Sequence, residues 1–192
     1  MKELYEARGY SFELNPEMLK LLREEFDVDK VTSRFAEAIK GKSPEESEAE
    51  GRAIFEAYGR DWIRQSRKLG EEYPDRTYEV LLEAVDKTGG YLRFALVPQR
   101  FIEIAYLSTQ DIPVLPIIEN NHHRLVYRVT DCLTFKKITE KCGQEVANRL
   151  PCRYACLTAC ETLHQDLEID ARVQMEAQTP QDGYCQFAAR RA

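Results

Sequence analysis

Arg124-Leu125-Val126-Tyr127-Arg128-Val129-Thr130-Asp131-Cys132 is the stretch that decides the fold. Leu125, Tyr127 and Val129 alternate with Val126, Arg128 and Thr130, the two-residue period of a strand with one face covered. Before it, Asn120-Asn121-His122-His123 is a turn and Leu115 to Glu119 reads as a short strand. After it, Phe135 to Gly143 reads as a helix and Cys152 to Leu167 as another. Ile169 to Ala177 then alternates Ile169, Ala171, Val173 and Met175 with polar neighbours. Pro180-Gln181-Asp182-Gly183 is a turn, and Tyr184 to Ala189 is the last strand. The order strand-strand-helix-helix-strand-strand predicts an α+β domain with a C-terminal antiparallel sheet.

Upstream, the chain reads as helical. Asn15-Pro16 is an N-cap followed by proline in the first turn, with Leu19, Leu22 and Phe26 at helical spacing behind it. A short helix is expected over Val31 to Ile39, stopping at Gly41. Ser43-Pro44-Glu45-Glu46 is a capping box that opens a long helix running to about Leu69, with Gly70 as its stop. Asp75 caps a further helix that ends at Gly89-Gly90. Tyr91 to Leu107 is apolar but interrupted by Pro98, and its period assigns it to neither class. The expected division is a helical extension over residues 1–42 and a domain over 43–192, its long helix packed on the sheet.

A chain of 192 residues with 43% apolar and 31% charged side chains is an ordinary globular composition. A net charge of -6 argues against nucleic-acid binding, which needs surplus Lys and Arg to neutralise phosphate, and against anionic membrane surfaces. No run approaches the ~20 apolar residues of a membrane span, and Met1 to Glu6 carries no apolar signal segment. The expectation is a cytoplasmic protein whose six cysteines are mostly reduced.

Cys152, Cys156, Cys160 and His164 recur at every fourth position, on one stripe of a helix. Three such steps span about 18 Å, too long for all four to reach one ion. A pair such as Cys156 with Cys160 would bind zinc if Cys185 and Cys132 came close; the alternatives are tight thiol packing between helix and sheet, and redox or nucleophilic thiol chemistry. Cys152, just after Pro151 at the helix start, is the expected thiolate. His164 at the helix end reads as a cap favouring the dipole, and His122 and His123 as solvated turn residues.

The run from Tyr127 to Cys132, the cysteine-bearing helix, the Gln-Asp-Gly turn and the Cys185-Gln186-Phe187 strand resemble the 4-vinyl-reductase-type ligand-binding domains and the related L-2-amino-thiazoline-4-carboxylic acid hydrolase-like proteins. Gly51 to Leu69, with Ala57-Tyr58-Gly59, is similar to their long helix, so the resemblance covers roughly residues 45–190. It implies an α+β fold that binds aromatic effectors or tetrapyrroles, or opens a thiazoline ring. In some members a zinc ion is held by a glutamate, a cysteine eight residues before the terminal Cys-x-Phe, that terminal cysteine and a helix cysteine. Here Ala177 and Gln174 stand at two of those four places, so zinc would fall to Cys156, Cys160 and Cys185. In the hydrolase-like reading the nucleophile is Cys132 or Cys152. The neighbouring Asp131 would raise the Cys132 pKa.

Tyr58, Trp62, Phe94, Phe101, Tyr106 and Tyr127 are expected to line a pocket between the long helix and the sheet, with Arg64 meeting a ligand carboxylate. Core packing explains the same aromatics. Three functions follow as expectations. The first is a stand-alone sensor, carrier or assembly factor for a planar, aromatic or tetrapyrrole-like small molecule. The second is a cysteine-dependent hydrolase of a cyclic amidine or thiazoline. The third is an adaptor that docks a protein partner or a second copy through an apolar patch on residues 14–40.

Overall fold

Side-chain caps set where the helices begin. The computed structural model describes residues 14–192; residues 1–13, part of the expected extension, lie outside the described residues. Helix α1 (Pro16–Glu25) starts at Asn15, whose Oδ1 accepts from the Glu17 and Met18 N–H groups at 2.8 and 3.3 Å. Helix α2 (Val28–Ala38) starts earlier than its apolar period suggests, because Asp27 caps it through the Asp29 N–H at 2.8 Å. The capping box forms at the start of α3 (Pro44–Glu72): the Ser43 N–H donates to Glu46 at 2.8 Å and the Glu46 N–H to Ser43 Oγ at 3.2 Å. Asp75 caps α4 (Arg76–Lys87) through the Tyr78 N–H at 2.8 Å.

Two glycine and proline readings change. Helix α3 runs through Gly70 to Glu72, because Gly70 serves contact: a β-carbon there would lie 2.7 Å from Ile104 Cδ1. The unassigned stretch is α5 (Arg93–Thr109), with Pro98 inside it. Phe94, Val97, Phe101, Ile102, Ile104, Ala105, Tyr106 and Leu107 are all buried on it. A helix wrapped by apolar neighbours keeps its form despite one lost hydrogen bond.

The second half follows the expected order. Strands β1 (Ile117–Asn120) and β2 (Arg124–Val129) form a hairpin, followed by α6 (Leu133–Cys142), the short α7 (Gln144–Asn148) and the cysteine helix α8 (Arg153–Asp166). Strand β3 (Ala171–Ala177), a single turn α9 (Thr179–Asp182) and β4 (Cys185–Arg191) close the chain. The fold is α+β: the strands lie in the order β1-β2-β4-β3, every neighbouring pair antiparallel. The register sets Tyr127 opposite Phe187 and Val129 opposite Cys185, on the face turned to the helices. The other face carries Glu176, bound by Arg124, Arg190, Gln174 and Gln186. Those bonds overcome its partial desolvation and hold its carboxyl down at about 2.

Helix α3 packs lengthwise against α8 and also against α5 and α2, so the long helix reaches the sheet's helical layer rather than lying on the sheet alone. Leu14, Met18, Leu22, Phe26, Val31 and Phe35 join the same core as the sheet. The apolar residues on which the adaptor reading relies are thereby turned inward. Among the described residues no helix is long and apolar enough to cross a membrane. A buried ion pair, Arg100 to Asp75 at 2.9 Å, ties α5 to the start of α4.

Candidate functional site

Six aromatic rings run through the interior in edge-to-edge succession. Phe26 meets Tyr58 at 5.7 Å between centroids, Tyr58 meets Trp62 at 5.9 Å, and Trp62 meets Tyr106 at 5.0 Å. Tyr106 meets Tyr127 at 5.7 Å and Tyr127 stacks on Phe187 at 5.4 Å. The run crosses from α3 through α5 to β2 and β4. Helical spacing places Tyr58 and Trp62 one turn apart on α3, and the strand period turns Tyr127 inward toward them. Tyr58 is half-buried, its hydroxyl donating to the Phe26 carbonyl at 2.9 Å, while Trp62, Tyr106 and Tyr127 are buried.

Polar atoms without partners lie along this run. Trp62 Nε1, Ser66 Oγ, the Tyr106 hydroxyl and His164 Nε2 are sealed from solvent and have no hydrogen-bond partner among the described residues. Ser66 is one helical turn beyond Trp62. His164 is 1% exposed, and its ring faces Phe94 at 5.9 Å. Its Nδ1 lies 2.7 Å from the Cys160 carbonyl and therefore carries the proton, which leaves Nε2 as an acceptor. Burial lowers the His164 pKa, opposed only by that carbonyl. The residue expected as a charged cap is thus a buried neutral imidazole. Burial also pushes the Tyr106 and Tyr127 phenols well up, with Cys156 acting on Tyr106 and Cys160 acting on Tyr127.

The remaining thiols flank the aromatic run. Cys132 is the N-cap of α6: its Sγ accepts the Phe135 N–H at 3.4 Å and its thiol donates to Gln110 Oε1 at 3.8 Å. Gln110 is fixed by Thr134, whose N–H donates to Oε1 at 3.3 Å and whose Oγ1 accepts from Nε2 at 3.1 Å. The neighbouring Cys152 thiol, with the backbone N–H groups of Phe135 and Thr134, lowers the Cys132 pKa against its desolvation. Cys132 and burial push Cys152 well up. Of the two thiols, Cys132 is the one whose pKa is lowered and Cys152 the one whose pKa is raised. Asp131, expected to oppose ionisation of Cys132, turns to Lys136 instead. Burial raises Cys156, and it raises Cys160 to about 12. Cys185 pairs with Thr179 Oγ1 at 3.0 Å. Among the described residues no three His, Cys, Asp or Glu side chains are placed to hold one ion, so Cys156, Cys160 and Cys185 do not form the zinc site considered from sequence.

The other expected site residues divide. Phe94 meets His164 at 5.9 Å, and Phe101 packs against Tyr78 at 5.8 Å. Arg64 does not reach it. Its guanidinium forms a two-pronged pair with Asp166 at 3.0 and 3.3 Å on the exposed face. The orphaned hydroxyl of Ser66 and the cradle of Gln110 and Thr134 around Cys132 were not anticipated. Ser66 had a signal, a hydroxyl repeating at i+4 from Trp62 on an apolar stripe; Gln110 had none, since its partner lies 24 residues away in sequence. No family model matches the chain, and no curated protein or solved structure matches it.

Proposed function

We propose that this chain is a small-molecule-binding protein, a sensor, carrier or assembly factor, that takes a planar aromatic ligand among α3, α5, α8 and β2. One observation carries the reading: Trp62 Nε1 and the Tyr106 hydroxyl are partnerless on a continuous aromatic run, with Ser66 Oγ one helical turn from Trp62 and His164 Nε2 beside Phe94 also partnerless among the described residues. A buried polar group left unsatisfied costs about 1–3 kcal/mol, and a core selected for stability alone would carry Phe in place of Tyr106. A ligand with both a hydrogen-bond acceptor and a donor on its edges would satisfy Trp62, a donor only, and His164, an acceptor. Arg64 is engaged by Asp166, so the ligand that fits is uncharged at this end, not the carboxylate first expected. Because the rings now touch, binding requires them to part, and association should be slower than the ~10⁵ M⁻¹s⁻¹ at the low end of rigid docking. Six free cysteines suit a reducing compartment, which supports a cytoplasmic assignment.

Trp62 is the single tryptophan, so its emission reports the site directly. Titration with neutral planar heteroaromatics and with a tetrapyrrole should quench it saturably, and Tyr106→Phe should weaken that response. Unchanged emission with every probe, together with unchanged thermal midpoints, would refute the reading.

A second reading is favoured by the place of Cys132 at the N-cap of α6, where its sulfur accepts the Phe135 N–H at 3.4 Å: a hydrolase of a cyclic amidine or thiazoline, with Cys132 as nucleophile. Ring opening of 2-aminothiazoline-4-carboxylate, lost in Cys132→Ser, would support it. No turnover by the unaltered chain would remove it.

A further inference from the structure

The outer face of the sheet lines up three arginines. Arg124 of β2 stands directly opposite Arg190 of β4, and Arg190 directly opposite Arg172 of β3. Neighbouring strands lie about 4.8 Å apart, and like charges set opposite one another destabilise a sheet. Only part of this charge is balanced. Arg124 Nη2 reaches both Glu176 oxygens, at 2.6 and 2.7 Å, and its Nη1 reaches Glu119 at 2.7 Å. Arg190 shares the same Glu176 carboxylate at 3.2 Å. Arg172 is exposed and has no hydrogen-bond or ion-pair partner among the described residues. Further along the face, Arg128 donates through Nε to Gln186 at 2.7 Å and rests its guanidinium on the Tyr184 ring at 4.5 Å. Its two terminal nitrogens have no hydrogen-bond partner among the described residues. The small side chains of Val126 and Ala188, opposite one another in the register, separate Arg128 from the arginine row.

We propose that this face docks an acidic polypeptide segment of a partner protein, whose carboxylates pair with Arg172 and Arg128 and relieve the arginine row. The face displays the chemistry in its own Glu176. That carboxylate is taken by two guanidiniums and by the side-chain amides of Gln174 and Gln186, which donate at 3.0 and 2.9 Å. The planar fork of a guanidinium matches a carboxylate, and stacking on Tyr184 sets the fork of Arg128 in place before a partner arrives. Charge complementarity selects the class of partner. Arg124, Arg128, Arg172 and Arg190 outnumber Glu119 and Glu176 on this face, whereas the whole chain carries a net charge of -6. A short acidic segment meets the cationic face alone. A long polyanion such as DNA, with its charge spread along the duplex, would also meet the acidic surface beyond it. The proposal stands independently of the ligand-binding reading.

The test is fluorescence anisotropy of a labelled peptide that alternates glutamate and serine, titrated with the full chain. About ten residues are long enough, when extended, to cross the sheet. A lysine-serine peptide and an oligothymidylate of the same length run beside it. Saturable binding of the glutamate peptide, weakening as salt is raised, is expected. Arg172→Glu and Arg128→Glu should each lower the affinity about 10-fold. Lys20→Glu makes the same change of charge at an exposed lysine of α1 and should leave the affinity within about 2-fold. Arg172→Glu also sets a carboxylate opposite Arg190, so its thermal midpoint should hold or rise, which separates lost docking from lost folding. No binding of the glutamate peptide, an equal loss in Lys20→Glu, tighter binding of the oligothymidylate, or self-association of the chain that Arg172→Glu abolishes would overturn the proposal.

Discussion

Gly59 of α3 lies directly against Ala155 of α8. A β-carbon on Gly59 would fall 2.8 Å from both the Ala155 Cα and its carbonyl carbon, and closer still to the oxygen. The two helices therefore meet main chain to main chain. Gly59→Ala should cost about 2–4 kcal/mol, because the obstruction is backbone and cannot rotate away. Urea denaturation reads this as a lowered midpoint; an unchanged midpoint would mean the helices do not approach as described.

Asp75 has two duties, capping α4 through the Tyr78 N–H and pairing with the buried Arg100 at 2.9 Å. Asp75→Asn keeps an oxygen for the cap and removes the charge. The expected loss is about 3 kcal/mol, since a buried cation deprived of its carboxylate is expensive. Thermal denaturation should show it. A loss no larger than that of a surface pair would contradict a buried ion pair.

Glu103 is 4% exposed, and burial outweighs the opposing pulls of Gln99 and Arg100 to raise its carboxyl to about 8 from an ordinary 4.5. Between those values the folded chain holds a proton that the unfolded chain gives up. Stability therefore falls as pH rises through that window and levels off above it. Glu103→Gln should flatten the slope and raise stability at pH 9 by about 2–5 kcal/mol. Denaturation curves at pH 5, 7 and 9 check this; parallel pH profiles for the two proteins would contradict it.

Tyr106 separates a packing role from a binding role. Its hydroxyl has no hydrogen-bond partner among the described residues, so Tyr106→Phe removes an unsatisfied group without opening a cavity. The substitution should stabilise the ligand-free chain by about 1 kcal/mol while weakening quenching of Trp62 by ligand. Calorimetry and fluorescence read the two effects on one variant. Destabilisation would mean that the hydroxyl already has a use in the core.

Much of the architecture was legible because it rests on local chemistry. Asn15, Ser43 and Asp75 each cap the helix their position announces, and the alternation around Tyr127 gave the sheet its inward face. Misreadings came where distant contacts prevailed over local signals. Gly70 read as a helix stop until Ile104 and Phe101 supplied the reason for its missing side chain, and Pro98 hid a helix that its burial sustains. The aromatics of the site were identifiable by type and spacing. Arg64 was not, because its partner Asp166 lies on another helix.

The central claim is that the partnerless atoms around Trp62 and Tyr106 belong to a ligand site, and native mass spectrometry of the full, untagged chain tests it most directly. The account predicts one organic molecule per chain, present on purification or after incubation with neutral planar heteroaromatics, that is released on denaturation and retained poorly by Tyr106→Phe. A bare chain mass under both conditions would contradict it and leave these atoms as unrelieved cost within a packed core.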